Sequence, residues 1–282
     1  MKRVDESGVG GPRVFSAPCR SLMTRSKIPS IDYALNPYLG CEHGCVYCYA
    51  TFMARFANIS DKWGTFVGVK ENAADVLRRE APRRAPGRVS FGTVCDAYQP
   101  VEERLGLTRA CLEVFRNVSG FDVGVLTKSD LVLRDTDVLR SLESAEVGFS
   151  VTCLDTGLAR VVEPGAASPS RRLEAMRELS EDGVSVWGFF GPVLPTLSDS
   201  DEAIAEVLEA MARAGAESVL VDSMTLYPKV WNSIRSLFER AFPERLDELK
   251  AIRRDQGAYE ASLSDRVMRA AARLGVDVDV CF

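Results

Sequence analysis

The chain reads as an α/β protein built on a parallel sheet, and three observations carry that reading. Apolar strand-like runs alternate with amphipathic helical stretches along most of the length, the pattern of parallel strands joined by crossover helices. A cysteine-rich loop follows the first of these runs. At 282 residues, 46% of them hydrophobic, the chain can bury one large core without needing a second domain.

The elements follow in order. Residues 1–30 are polar and aperiodic, so a flexible or extended N-terminal arm is expected, with Cys19 incidental to it. The first strand covers residues 33–39, and a helix begins within 49–56. Helix 72–79 then precedes strand 88–94, helix 105–118 strand 122–127, helix 135–144 strand 146–152, helix 169–182 strand 184–190, and helix 201–214 strand 218–222. That makes six βα units, an alternation that suits a doubly wound sheet as well as a barrel. Helices 231–241 and 258–274 and an apolar end, 276–282, form a tail expected to close the bottom or side of the core.

Composition removes several function classes. Lys and Arg number 35 against 40 Asp and Glu, a net charge of −5, which argues against a broad nucleic-acid footprint. The first residues hold no apolar signal-peptide core, and the most apolar segment, 184–197, is interrupted by Gly and Pro and is too short to span a bilayer. Eight cysteines, three on one loop, do not make a disulfide scaffold and fit a reducing, cytoplasmic compartment. With His43 as the lone histidine, and no P-loop, G-x-S-x-G or H-E-x-x-H string, the common hydrolase and nucleotide-binding motifs are missing.

The chemistry is concentrated in NPYLGCEHGCVYCYA, residues 36–50, where Cys41, Cys45 and Cys48 stand at C-x3-C-x2-C. Sulfur ligands at this density suit an iron–sulfur cluster or zinc. Three thiolates hold three irons of a cubane and leave the fourth open. The residues also admit a Cys3His zinc site through His43, a redox pair of Cys45 and Cys48, or buried structural cysteines.

Cys41, Cys45, Tyr47 and Cys48 resemble the C-x3-C-x-aromatic-C motif of the radical S-adenosylmethionine (SAM) superfamily. The strings at 92–102 (GTVCDAYQPVE), 126–135 (LTKSDLVLRD), 150–155 (SVTCLD), 163–176 (EPGAASPSRRLEAM) and 191–199 (GPVLPTLSD) are similar to its spore photoproduct lyase-like branch, in particular to short members of unassigned substrate. The resemblance implies a partial (βα)6 TIM-like barrel over residues 31–225, with a helical C-terminal extension, 226–282, packed on it. It also implies a radical SAM enzyme in which a [4Fe-4S] cluster on Cys41, Cys45 and Cys48 cleaves SAM reductively. The product is a 5′-deoxyadenosyl radical that takes hydrogen from substrate, with an external flavodoxin- or ferredoxin-like protein supplying the electron.

The same likeness implies cofactor-binding roles. Tyr47 lies beside the adenine, Lys128 and Ser150 contact SAM, and Asp96 takes the place of the superfamily's Gly-Gly-Glu toward the SAM amino group. Thr152 is a further hydroxyl for SAM, and Val193 packs on the adenine face. Cys95 and Cys153, at strand ends, suit hydrogen donation to a carbon radical, auxiliary cluster ligation or plain burial. Tyr98 suits a radical relay, a substrate contact or a turn cap. Glu163, Arg171 and Arg172 either face an anionic substrate or are surface charges at a helix start. Cys111 and Cys281 are expected to be structural or incidental, with Cys281 able to reach the site if the tail folds over the mouth. A small-molecule or peptide substrate is favoured over nucleic-acid base modification, and no membrane partner is expected. The reading from another class is a non-catalytic zinc-stabilised barrel that binds a ligand.

Overall fold

Strand order separates the two architectures open to an alternating chain, because a doubly wound sheet reverses direction at a switch point. In the computed structural model, which describes residues 11–56 and 59–282, no such reversal occurs in the main sheet. Its parallel strands β3 (Tyr33–Leu35), β6 (Gly87–Phe91), β7 (Phe121–Thr127), β8 (Ala145–Ser150), β9 (Ser185–Val193), β10 (Val219–Ser223) and β11 (Val278–Val280) lie side by side in chain order. The antiparallel β2 (Thr24–Arg25) forms the far edge beside β3. β11 and β2 are opposite edges that do not pair, so the winding is that of an open, partial TIM-like barrel. The six expected strands are all present, and β11 adds a seventh parallel one out of the apolar tail.

Helices cover one face of this sheet. α2 (Ala73–Glu80) packs on α4 (Leu107–Phe115), and α7 (Pro169–Glu181) packs on β8 and β9. α8 (Asp201–Arg213) lies against β9 and carries α11 (Gln256–Leu274) on its outer side. The starts of α7 and α8 are capped by Ser168 and Ser200, whose hydroxyls accept from the Arg171 and Ala203 amides at 3.3 and 3.1 Å, as short polar side chains do at helix N-termini.

Several boundaries differ from the sequence expectation for identifiable reasons. The strand expected over 33–39 divides at Pro37, which has no amide hydrogen to continue a ladder. Beyond it β4 (Tyr38–Leu39) joins β5 (Phe66–Val69) and β1 (Arg13–Ser16) in a separate small sheet. Residues 13–16 of the expected N-terminal arm are therefore a sheet strand, while residues 1–10 lie outside the described residues. Helix 105–118 breaks at Gly106, in the left-handed region at φ 60°, into α3 (Val101–Leu105) and α4. The helix expected at 135–144 is a 3-10 turn, Asp130–Asp135, followed by the short α5 (Thr136–Leu139).

Alternation along the strands assigns each residue a face. Val89, Val123, Val147, Phe149, Val186 and Val219 are buried in the core under the helices. The opposite, inward face carries Ser90, Gly124 and Gly148, whereas a closed barrel fills such positions with branched side chains. The space is partly taken by Trp187, whose ring lies 2.3 Å from where a Gly148 Cβ would stand.

The tail does more than close the bottom or side. Trp231, Ile234 and Phe238 of α9 (Pro228–Ala241) share a second apolar cluster with Cys45, Tyr47 and Leu194. That places α9 at the strands' C-terminal ends, beside the cysteine loop. α6 (Thr156–Val162) and α10 (Leu246–Arg254) complete this layer, Val162 and Leu249 joining the same cluster. Truncating the fully buried Phe149 to Ala is expected to cost about 3–5 kcal/mol of stability, read as a lower urea midpoint with unchanged slope.

Candidate active site

The cysteine loop leaves β4 through Gly40, which sits at φ 86°, and a Cβ there would stand 2.6 Å from the Phe66 carbonyl oxygen. Only glycine satisfies both demands. Two tight turns then carry the sulfurs, with the Gly44 amide donating to Cys41 O at 3.4 Å and the Cys48 amide to Cys45 O at 3.2 Å. The loop is tied to the segment after β8: Val46 N donates to Val162 O at 2.9 Å and Gly165 N to His43 O at 3.0 Å. Gln99, fully buried, holds the near side, accepting from Glu42 N at 2.9 Å and donating to Gly40 O at 3.3 Å.

The donor set is three thiols with no imidazole turned toward them. Cys41 and Cys45 are buried and Cys48 half-buried, all free thiols. His43 is turned elsewhere, with Nδ1 3.4 Å from Asp96 Oδ2, so the Cys3His arrangement is not built. Burial pushes all three thiols up, with Asp96 adding to the effect at Cys41 and Glu163 at Cys45. Such buried sulfurs ionise readily only with a strong positive partner, which bound iron provides.

Beside the loop lies a buried charge cluster centred on Glu163, which sequence alone left as a surface or substrate-facing charge. Arg172, 1% exposed in its side chain, pairs with the fully buried Glu163 carboxylate, and the Tyr47 hydroxyl donates to the same carboxylate. Thr152 Oγ1 donates to it at 3.3 Å, and Lys128 Nζ stands 4.0 Å away. Arg172 also donates to the carbonyls of Ser150 at 2.9 Å and Ala167 at 2.8 Å. Burial raises the Glu163 carboxyl, but Arg172 and then Lys128 hold it below the usual carboxylate range. Two cations against one carboxylate leave one positive charge, and Lys128, 15% exposed and 5.9 Å from the Tyr47 ring centroid, presents it. Arg171 is instead an exposed residue paired with Asp130.

The other predicted residues fall into distinct places. Asp96 accepts from Thr127 Oγ1, Lys128 N and Tyr98 N at 2.7, 2.7 and 2.9 Å. Burial raises this carboxyl, yet His43 and these donors bring it down to about 2. Its acceptor sites are thus filled from within the protein, joining β7 to the cysteine loop. Ser150 and Thr152 lie on alternate positions at the end of β8, both buried. Cys95 is buried against Asn36, Sγ to Oδ1 3.6 Å, and Cys153 against the Asp155 carbonyl at 3.6 Å. Burial first of all pushes these thiols up, to about 12 and about 11, which keeps them as S–H, the form a hydrogen-atom donor needs. Tyr98 is fully buried with its hydroxyl on Asp135 at 3.0 Å, the geometry of a turn cap. Val193 is fully buried in the main core, as is Cys111.

Residues 35–208 match the family described as the radical SAM superfamily. The chain belongs to the radical SAM superfamily. An uncharacterized protein of Methanocaldococcus jannaschii is 37% identical over 182 residues, covering 64% of this chain and 68% of its own. Another, from Mycobacterium bovis, is 31% identical over 253 residues, 86% of this chain and 73% of its own. The fold is similar to spore photoproduct lyase complexed with dinucleoside spore photoproduct, with a TM-score of 0.71, 18% identity and coverage of 95% of this chain and 82% of that one. Streptococcus suis SuiB bound to S-adenosylmethionine gives a TM-score of 0.52 at 12% identity, covering 96% of this chain and 47% of that one. This radical SAM protein is an enzyme, and its cofactors are a [4Fe-4S] cluster and SAM.

Sequence reasoning missed Gln99 and the Glu163–Arg172 pair as supports of the loop. The signal available was proximity alone, since Gln99 lies in the 92–102 string and both charges lie in the 163–176 string. Replacing Arg172 with Met should destabilise the protein by about 3–5 kcal/mol, because it leaves Glu163 buried without its main partner. Urea unfolding of the purified variant measures it.

Proposed function

We propose that this radical SAM enzyme takes hydrogen from a small-molecule or peptide substrate in the mouth of its partial barrel, with Cys41, Cys45 and Cys48 as cluster ligands. The observation that carries the reading is the three-cysteine loop fixed at the strands' C-terminal ends beside a buried cluster with one surplus positive charge. Cys41, Cys45 and Cys48 would hold the [4Fe-4S] cluster, which when bound would supply the electron for reductive cleavage of SAM.

The chain's own residues bind and orient. Lys128 offers its ammonium to the SAM carboxylate, and Glu163, by holding Tyr47, Thr152 and Arg172, fixes the wall on which the nucleoside rests. Ser150 and Thr152 supply polar groups at the end of β8, and Val193 the apolar packing behind them. Asp96 acts through the loop: its filled acceptor set favours a positioning role over a direct bond to the SAM amino group. Cys95 and Cys153 are held as neutral thiols able to return a hydrogen atom to a product radical. The apolar layer of α9 excludes water from the loop side, as a radical reaction requires.

A flavodoxin- or ferredoxin-like electron donor and a cytoplasmic location go with this chemistry. No helix among the described residues is long and apolar enough to cross a membrane. Nucleic-acid base modification is the alternative that the lyase fold suggests, and the net charge of −5 weighs against it, because phosphate contacts dominate such binding.

Anaerobic incubation with SAM, dithionite and deuterated candidate substrates is the direct test, and the true substrate transfers deuterium into 5′-deoxyadenosine. Cys45→Ala should lose both the broad absorbance near roughly 400 nm typical of iron–sulfur proteins and SAM cleavage. Lys128→Met should keep the absorbance while weakening SAM binding by about tenfold or more, the effect of one charge-assisted contact. Cys95→Ala or Cys153→Ala, whichever is the donor, should still cleave SAM but shift the product partition, and unchanged products in both return them to a structural role.

A further inference from the structure

The inward face of the sheet carries a second set of groups, on β9 to β11, that the SAM chemistry does not use. Register places them together. Phe189 pairs with Leu220 across β9 and β10, Leu220 pairs with Asp279, and Val221 pairs with Val280. Asp222 and Cys281, each one residue further on, are therefore neighbours on one face. This face is the inward one, because Val219, Val221 and Val278 of the same strands are buried in the helix-side core. Phe189 is laid over Gly191, its ring 2.4 Å from where a Cβ there would stand, and is half-buried like Leu220 and Asp222. The result is an aromatic and aliphatic wall ending in a carboxylate at the C-terminal end of β10, where barrel chemistry gathers.

Asp222 has an address on the mouth as well, because Met224, two residues on, packs in the apolar cluster that holds Cys45 and Tyr47. Tyr49, the residue after the last cluster cysteine, donates to the carbonyl of Thr93 beyond β6. Tyr49 thus ties the cysteine loop to the β6 end. Among the described residues no Lys or Arg forms an ion pair with Asp222. Cys281 of β11 stands beside it in register, and Glu260 of α11 and Tyr49 of the loop are the other titratable groups within electrostatic reach. Glu260 is itself engaged by Ser223 Oγ and Gln256 Nε2, both at 2.7 Å. Burial, with Glu260 adding, raises the Asp222 carboxyl to about 6, so it is ionised at neutral pH but lacks a cation. A partly buried carboxylate left in that state is a site for a ligand charge.

We propose that Asp222 is a substrate-recognition residue and that the substrate carries an ammonium group beside a flat or apolar portion, the ammonium on Asp222 and the apolar portion on Phe189 and Leu220. The inference rests on the radical SAM reading above and names the substrate class for its mouth. The two sides of the mouth are then of opposite sign: Lys128 serves the cofactor's carboxylate, and Asp222 serves the substrate's amine. A phosphodiester is disfavoured on the same ground, because a carboxylate at the reacting end repels it.

The test uses the cluster-loaded protein with SAM and without reductant, titrated with benzylamine, benzyl alcohol and benzoate by calorimetry. Benzylamine should bind tightest, and Asp222→Asn should weaken it by about tenfold while leaving the alcohol's affinity unchanged. Affinity for the amine in the wild type should be full above pH 7 and fall as pH drops through about 6, because protonation removes the charge, and the alcohol's affinity should stay level. Equal benzylamine affinity in the wild type and Asp222→Asn, a level pH profile for the amine, or benzoate binding as tight as the amine would each overturn the proposal. If Asp222→Asn fails to fold by circular dichroism, the wild-type pH profile and the ligand order decide. Wild-type iron content and SAM cleavage report on the catalytic reading separately, so either can fail while the other stands.

Discussion

The three-cysteine loop stands at the open end of a sheet where few backbone partners exist, yet it has to be held in one place. This chain solves the problem with buried charge and buried amide groups. Glu163 receives the Tyr47 hydroxyl and is balanced by Arg172, which in turn grips the carbonyls at the end of β8 and the start of α7. On the other side Asp96 and Gln99 connect the loop to the ends of β6 and β7. Each of these groups is costly to bury alone and is satisfied only in this arrangement. The network therefore specifies the loop position as well as stabilising it.

The same arrangement sets the electrostatics of the mouth. Lys128 is the one member of the Glu163 cluster that keeps a partly exposed charge, and it faces the side where the cysteines lie. Across the opening, Asp222 and the edge strand β11 give the opposite sign. The inward face is not packed with branched side chains as in a closed barrel: Trp187 lies over Gly148 and Glu146 over Gly124. The polarity of the two walls then orders two ligands in one space.

Much of this was legible in the amino-acid order. The six βα strands could be read from apolar runs, and the family from the cysteine motif, because both are local signals. The seventh strand was not, since Val278–Val280 is short and pairs only through the parallel edge of β10. The division of the first strand at Pro37 and of helix 105–118 at Gly106 followed rules visible in the sequence, but competing apolar periodicity masked them. Glu163 and Arg172 illustrate the deeper limit: charges at a helix start are usually solvated, and only the fold shows that α7 turns Arg172 inward onto a carboxylate nine residues earlier. Tyr98 is similar, a turn residue whose burial against Asp135 depends on the 3-10 turn at Asp130–Asp135.

The central claim is that the three cysteines hold a cubane whose open corner takes SAM. Electron–nuclear double resonance on the reduced protein, with SAM labelled at its amino nitrogen, tests it most directly. The account predicts a hyperfine coupling from that nitrogen to a cluster bound at Cys41, Cys45 and Cys48. Zinc in place of iron, or a cluster that shows no coupling to saturating SAM, would contradict it.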